Sequence, residues 1–370
     1  MIMIQELPPV SSVPLREKVY YWKCDRPAAF HGTEVQSSAA DLHPQVLALL
    51  QARQPGLTID LKDGGGQGNH RTFVARIGSS DVFVRIEDGP ERDDYIETES
   101  RIQEAVRALG VKTPRVIDVD ASRCEVPFAW QLMEAVPHPD LNHWHKQGRL
   151  DLPRMAREIG AAVARWQDVP VEHYGPFQSG NNGLKGFHLT YASYFKLNLE
   201  THLDFLTRRE FLLPDQADEI RQVIQDHETL LDLACGCLVH KDLALWNILG
   251  TEDEIAAFID WDDAISGDPL DDLSLLGCFY DGTVITQALA GYTRIKPLPL
   301  DYRRRFWLHL LRNMIVKAVI RVGAGYFDRT DGFFLIGSGS SGADLRQLTL
   351  DRIQTAVSGL REDRKLATLP

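Results

Sequence analysis

Between Leu238 and Asp262 short apolar stretches alternate with a small set of polar groups. The first stretch reads Leu238-Val239-His240-Lys241-Asp242-Leu243-Ala244-Leu245-Trp246-Asn247-Ile248-Leu249 and contains His-x-Asp-x4-Asn. Thirteen residues after Asn247 comes Asp260, inside Ala257-Phe258-Ile259-Asp260-Trp261-Asp262. The apolar flanks must leave water, and buried polar groups survive only where they are paired. Short strands on either side would then hold His240, Asp242, Asn247 and Asp260 around one point. A chain built this way has to assemble a polar centre inside an apolar frame.

Phosphoryl transfer from a nucleotide needs such a centre. The transferring group needs positioning, charge neutralisation and an oriented nucleophile rather than covalent help. Asp242 would accept or orient the proton of an acceptor hydroxyl. The amide oxygen of Asn247 and the carboxylate of Asp260 would hold magnesium, a hard cation that prefers oxygen ligands. His240 would be structural, fixing the loop through backbone hydrogen bonds.

The remaining chain changes texture twice. Residues 1–54 read as a Pro-rich arm followed by a short helix near Asp41–Leu50. Strand patterns follow at Leu57–Leu61, Arg71–Ile77 and Val82–Ile86, with Gly64-Gly65-Gly66-Gln67-Gly68 between the first two. A helical face at Glu97–Leu109 and strands at Pro114–Val119 and Phe128–Met133 complete a small β-rich unit over 55–136. Residues 137–370 read mainly helical, with helices expected at Leu152–Val169, Tyr191–Thr207, Pro214–Cys235, Tyr302–Ala324 and Asp344–Arg361. Gly175-Pro176-Phe177 and the glycines up to Gly186 read as a loop between helices. The glycine cluster is neither a dinucleotide-binding nor a Walker loop, because a strand follows it and no Gly-Lys-Ser/Thr does. Tyr20-Tyr21-Trp22-Lys23-Cys24 is an aromatic patch expected to pack on the sheet-rich unit.

His240–Asn247, followed by Ile259-Asp260-Trp261-Asp262-Asp263-Ala264-x-x-Gly267-Asp268-Pro269-x-x-Asp272-Leu273, resembles the aminoglycoside phosphotransferase and choline kinase family. The resemblance covers residues 55–280 by motif order. It implies an α+β, two-lobed, protein-kinase-like fold with a small β-rich lobe and a large helical one. It implies ATP or GTP with Mg2+ as cofactors, and a glycine hairpin over the phosphates at Gly65, Gly66, Gly68 and Asn69. It puts Arg85 in the place of the usual phosphate-binding Lys, paired with Glu99 rather than Glu97. Met133, Glu134 and Val136 would edge the adenine. Asp268 and Asp272 would brace the catalytic loop, and Asp263 or Asp271 could face the acceptor. Related catalytic loops carry a Lys or His two residues after the catalytic Asp, where this chain has Ala244. Nothing after Asp260 resembles an activation segment, which argues against a protein kinase.

The resemblance leaves the acceptor open. An antibiotic of the hygromycin type competes with a sugar, a choline-like alcohol or another metabolite. A nucleotide-binding pseudokinase is the remote alternative. The net charge of −12 disfavours nonspecific nucleic-acid binding. Residues 201–290 hold 19 Asp or Glu against 4 Lys or Arg, a field that suits a cationic, polyhydroxylated acceptor. No apolar run is long enough to span a membrane, and no basic start precedes an apolar block. Five cysteines without CxxC spacing fit free thiols in the cytoplasm. A monomer or homodimer is expected.

Overall fold

The computed structural model describes residues 15–26, 41–65, 70–89, 92–180, 183–330 and 341–370. Gly66, Gly68 and Asn69 of the expected phosphate hairpin lie outside them, as does Gly337–Ser340 of the glycine–serine stretch.

The small lobe is an antiparallel sheet of β1 (Ile59–Asp63), β2 (Arg71–Ile77), β3 (Ser80–Glu87), β4 (Val116–Asp120) and β5 (Ala129–Glu134), in the order β1-β2-β3-β5-β4. Period-two alternation decides its two faces. Val82, Val84 and Ile86 of β3 and Phe73 and Ala75 of β2 point to one side. There they pack with Val46, Leu49 and Leu50 of the helix His43–Arg53. Thr72, Val74, Phe83 and Arg85 point to the other side and line a cleft. The helix Tyr95–Ala108 packs against β4 and β5 and carries Glu99 to the edge of that cleft.

The large lobe is mostly helical. Its axis is the long helix Tyr302–Gly323, which buries Phe306, Leu310, Met314 and Val316. The helices Leu152–Trp166 and Gly282–Tyr292 cross at two glycines. A Cβ on Gly160 would strike the Ala288 carbonyl, and one on Gly291 would strike the Arg157 carbonyl. Only glycine permits that approach. The expected helix at Tyr191–Thr207 is two helices, Tyr191–Phe195 and Leu199–Arg208, broken at Asn198 with φ of 56°. The expected helix at Pro214–Cys235 stops at Asp226 and continues as a 3-10 turn.

The stretch read as a loop around Gly175–Gly186 is instead part of a second sheet. β6 (Val171–Glu172), β7 (Tyr174–Phe177) and β8 (Leu184–His188) join β9 (Cys237–Val239) and β12 (Ile265–Gly267) in the order β6-β8-β7-β12-β9. Its strands are too short for a periodic signal, so glycine and proline dominated the sequence pattern. β10 (Ile248–Gly250) and β11 (Ile255–Phe258) form a separate hairpin. The aromatic patch also departs from expectation. Tyr20, Tyr21 and Cys24 belong to the core of the large lobe, not to the small sheet.

Candidate active site

The catalytic loop hangs between β9 and β10. Each structural group in it has a partner. His240 Nε2–H donates to the Ile259 carbonyl (2.9 Å), and its Nδ1 accepts from the Asp242 amide (3.3 Å). Those two bonds set the tautomer, with the ring proton on Nε2. They also tie Asp242 to the residue before Asp260. The imidazole packs on Trp261, with ring centres 4.4 Å apart. Asp272 accepts from the His240 and Lys241 amides (2.9 and 3.0 Å) and from Trp166 Nε1–H (3.1 Å). Asp268 accepts from the Leu270 amide and pairs with Arg305 at 2.6 Å. Lys241 (φ 68°) and Asp260 (φ 63°) both take the left-handed backbone region, which is costly for side chains with a Cβ.

Asn247 and Asp260 line the floor of the cleft, and Asp242 and Asp263 lie just behind them, joined through Asn247 and Lys23. Asn247 donates its amide hydrogens to the Asp242 carbonyl (2.8 Å) and to Asp242 Oδ2 (3.1 Å). Its amide oxygen is therefore the atom left for a cation. The set offers only oxygen donors, and Oδ1 of buried Asp263 has no hydrogen-bond donor. It fits magnesium.

Above this floor the cleft has a volume of about 1020 Å³. It is roofed by Gly64, Gly65 and Thr72 at the β1–β2 turn and edged by Met133, Glu134, Ala135 and Val136. Thr72 donates to the Gly65 carbonyl, and Gly65 has φ of 65°, which explains a glycine there. Arg85 Nη1 donates to both oxygens of Glu99 at 2.5 Å, and Arg85 Nη2 lies 2.6 Å from His70 Nε2. Glu99 also accepts from the Trp261 amide at 3.0 Å. One carboxylate thus joins strand, helix and the turn behind Asp260.

The arm enters the same floor. Tyr21 O–H donates to Asp242 Oδ1 at 2.8 Å. Lys23 Nζ lies 3.0 Å from Asp242, 3.3 Å from Asp260 and 2.8 Å from Asp263. Lys317 Nζ of the long helix lies 3.4 Å from Asp242. Burial alone would raise the Asp242 carboxyl, but Lys23, Lys317 and the Tyr21 hydroxyl outweigh it and hold it well below the usual range. Burial pushes Asp263 up to about 6 against the pull of Lys23, with Asp262 and Asp242 adding repulsion.

A model of the phosphotransferase enzyme family matches residues 61–307, more than half of the chain. The chain belongs to that family. It is a small-molecule phosphotransferase with the two-lobed, kinase-like α+β fold. No curated relative is matched by sequence. Among solved structures, the aminoglycoside phosphotransferase APH(4)-Ia is 16% identical, with a TM-score of 0.59 over 85% of this chain and 98% of that one. A proposed fructosamine-3-kinase from Haemophilus somnus 129PT is 15% identical, with a TM-score of 0.56 over 85% and 100%. Macrolide 2'-phosphotransferase MphH from Brachybacterium faecium is 17% identical, with a TM-score of 0.54 over 76% and 93%. At these identities the likeness is one of fold.

In this phosphotransferase the structure brings Asp242, Asn247, Asp260, Arg85, Glu99, Gly65, Met133, Glu134 and Val136 to one cleft and its immediate wall. It does not bring Asp271 there. That carboxylate is fully buried, held by Lys241 Nζ at 2.8 Å and Asn313 Nδ2 at 2.9 Å, and cannot face an acceptor. Asp263 does come close to the floor, but its neighbour is Lys23 of the chain itself. Tyr21, Lys23 and Lys317 were absent from the sequence reading of the site. The Tyr20–Cys24 cluster was visible as a patch, but no spacing links it to Asp242 across more than 200 residues.

Proposed function

We propose that this phosphotransferase passes the γ-phosphoryl group of ATP to a hydroxyl of a polyhydroxylated, cationic small molecule of the aminoglycoside type. The observation that carries the reading is the convergence of Asp242, Asn247 and Asp260 at the floor of the cleft, with Arg85 on its wall. Nucleotide binding is supported by solved structures of APH(4)-Ia variants with ADP or AMP-PNP together with hygromycin B.

The residues divide the work. Asp242 orients the acceptor hydroxyl and takes its proton as the bond to phosphorus forms; Lys23 and Lys317 beside it keep it ionised beforehand. Asn247 and Asp260 would hold Mg2+, which neutralises charge on the phosphates. Arg85, locked by Glu99, faces the cleft from β3, where it can meet the phosphates. Met133, Glu134 and Val136 would border the base, and Gly65 would lie over the phosphates. His240, Asp268 and Asp272 keep the loop in register. GTP would use the same groups as ATP.

A sugar or other metabolite as acceptor uses the same machinery, and the fold likeness to a proposed fructosamine kinase favours keeping it in view. The five free thiols support a reducing, cytoplasmic setting. Among the described residues no helix is long and apolar enough to cross a membrane. The deciding experiment is ADP release with Mg-ATP against hygromycin B, other aminoglycosides, amino sugars, sugars and choline-like alcohols. Release that depends on an aminoglycoside supports the reading. Release only with sugars or choline-like alcohols moves the acceptor class, and none with any acceptor counts against turnover.

A further inference from the structure

The catalytic loop brings no cation of its own to the reacting centre. Ala244 is buried and apolar. Lys241 precedes Asp242 but turns away, its Nζ fixed on Asp271, on Asn313 Oδ1 (2.9 Å) and on the Tyr20 hydroxyl (3.1 Å). Arg85 faces the cleft from β3 but is held there by Glu99 and His70, away from Asp242. Phosphoryl transfer spreads negative charge over three equatorial oxygens, and preorganised cations aimed at that charge stabilise it most. Two lysines remote in sequence reach Asp242 instead, Lys23 at 3.0 Å and Lys317 at 3.4 Å.

The backbone that carries Lys23 is not a loose strap. Tyr20 stacks on Tyr194 with ring centres 4.8 Å apart, and the Arg312 guanidinium sits 3.8 Å above its ring. Asp25 accepts from the Tyr20 amide (2.9 Å) and from His202 Nε2–H (2.6 Å). Arg16 pairs with Asp262 at 2.7 Å. Cys24 is fully buried. The Lys23 side chain alone keeps 23% exposure, beside the three carboxylates of the floor. An anchored backbone with an accessible ammonium suits a group that meets substrate. An inhibitory plug would need the anchored segment to leave.

We propose that Lys23 is a catalytic residue, its ammonium contacting the phosphoryl group in transfer. The acceptor oxygen forms a bond to the γ-phosphorus while the bond from that phosphorus to the β,γ-bridging oxygen breaks. The bridging oxygen leaves with its electron pair as part of ADP, and the hydroxyl proton goes to Asp242. Lys23 remains protonated and exchanges a carboxylate contact for equatorial phosphoryl oxygens. Lys317 positions Asp242 from the opposite side. The proposal rests on the phosphoryl-transfer reading of the site, and on no particular acceptor.

The test uses the full chain and needs no acceptor. Calorimetry would compare binding of Mg·ADP with binding of Mg·ADP plus aluminium fluoride, a mimic of the transferring phosphoryl. Lys23→Met should lose about 10²-fold in affinity for the fluoride complex and keep that for Mg·ADP within about twofold, as expected for a group that acts on developing charge. Lys23→Arg should restore most of the loss, and thermal melting should show both variants folded. Should Lys23→Met fail to fold, Lys23→Gln carries the same expectation. An equal loss on both ligands, or none, would overturn the proposal. Tighter Mg·ADP binding by Lys23→Met would also overturn it, since the ammonium would then be competing with the metal. A wild-type protein that binds the fluoride complex no better than Mg·ADP would overturn the phosphoryl-transfer reading along with it.

Discussion

The catalytic loop His240–Asn247 and the arm segment Tyr20–Lys23 end on the same carboxylate, Asp242, by different physics. The loop is held by polar bonds within itself, from Asn247, and from the segments that follow it, at Ile259 and Asp272. The arm is held by packing, with Tyr20 between Tyr194 and Arg312 and Cys24 in the core, and by polar pairs with residues remote in sequence, Asp25 with His202 and Arg16 with Asp262. Local polar bonds leave a spacing that can be read along the chain. Packing against elements roughly half the chain or more away leaves only an aromatic cluster with no visible partner.

The comparison breaks most visibly at the shared carboxylate. Asp242→Ala should lower Mg-ATP turnover by about 10²–10⁴, the usual range for removing a positioned proton acceptor. Its melting temperature should also fall, because Tyr21, Lys23 and Lys317 each lose the carboxylate they hold in the folded protein. Steady-state ADP release and a thermal scan check both, and full turnover would place the chemistry elsewhere. Next comes the anchor of the arm. Tyr20→Ala should cost about 3–5 kcal/mol in urea or guanidinium unfolding, as for other large buried aromatic residues. An unchanged unfolding midpoint would make the arm a detachable segment.

The loop has its own brace, and its removal should cost less. Asp272→Ala strands three buried donors, the amides of His240 and Lys241 and the indole of Trp166. About 3 kcal/mol of stability should go with it, given roughly 1–3 kcal/mol for each donor left unsatisfied and some relaxation. Asp272→Asn should recover part of this in the same assay.

The smallest effect is a pH dependence at the anchor of the arm, where His202 of the helix Leu199–Arg208 meets Asp25. Burial first, then Arg312, keeps the His202 imidazole below its ordinary value, against the pull of Asp25. The unfolded chain therefore binds a proton more readily than the folded one, so stability rises with pH through this range. That contribution is present above the unfolded value of about 6.5 and is lost as pH falls toward the lower folded value. His202→Gln should flatten the unfolding free energy between about pH 7 and pH 5. A slope unchanged by the substitution would assign the effect to another group.

Much of the small lobe was legible because its strands are long enough to alternate. Arg71–Ile77 was read with the bounds it has, and Val82–Ile86 lies within Ser80–Glu87. The second sheet was missed because its strands run two to five residues and carry Gly175, Pro176 and Gly186. The helix near Asp41–Leu50 was visible, but not that it would cover the small sheet while the arm before it crossed to the large lobe. Asp271 shows a further limit. Beside the braces Asp268 and Asp272 it reads as one more carboxylate, and only the folded chain shows Lys241 and Asn313 closing on it.

The sequence alone determined the order of polar groups in the loop and the turn after it. His-x-Asp-x4-Asn and the following Asp260 depend on spacing between neighbours, and spacing is a property of the chain. Tertiary structure decided which cations meet those carboxylates. Lys23 and Lys317 come from opposite ends of the sequence, and they converge because Tyr20, Cys24 and the long helix leave water together. The apolar contacts that drive that burial have no direction of their own, so no local pattern of residues could record the meeting.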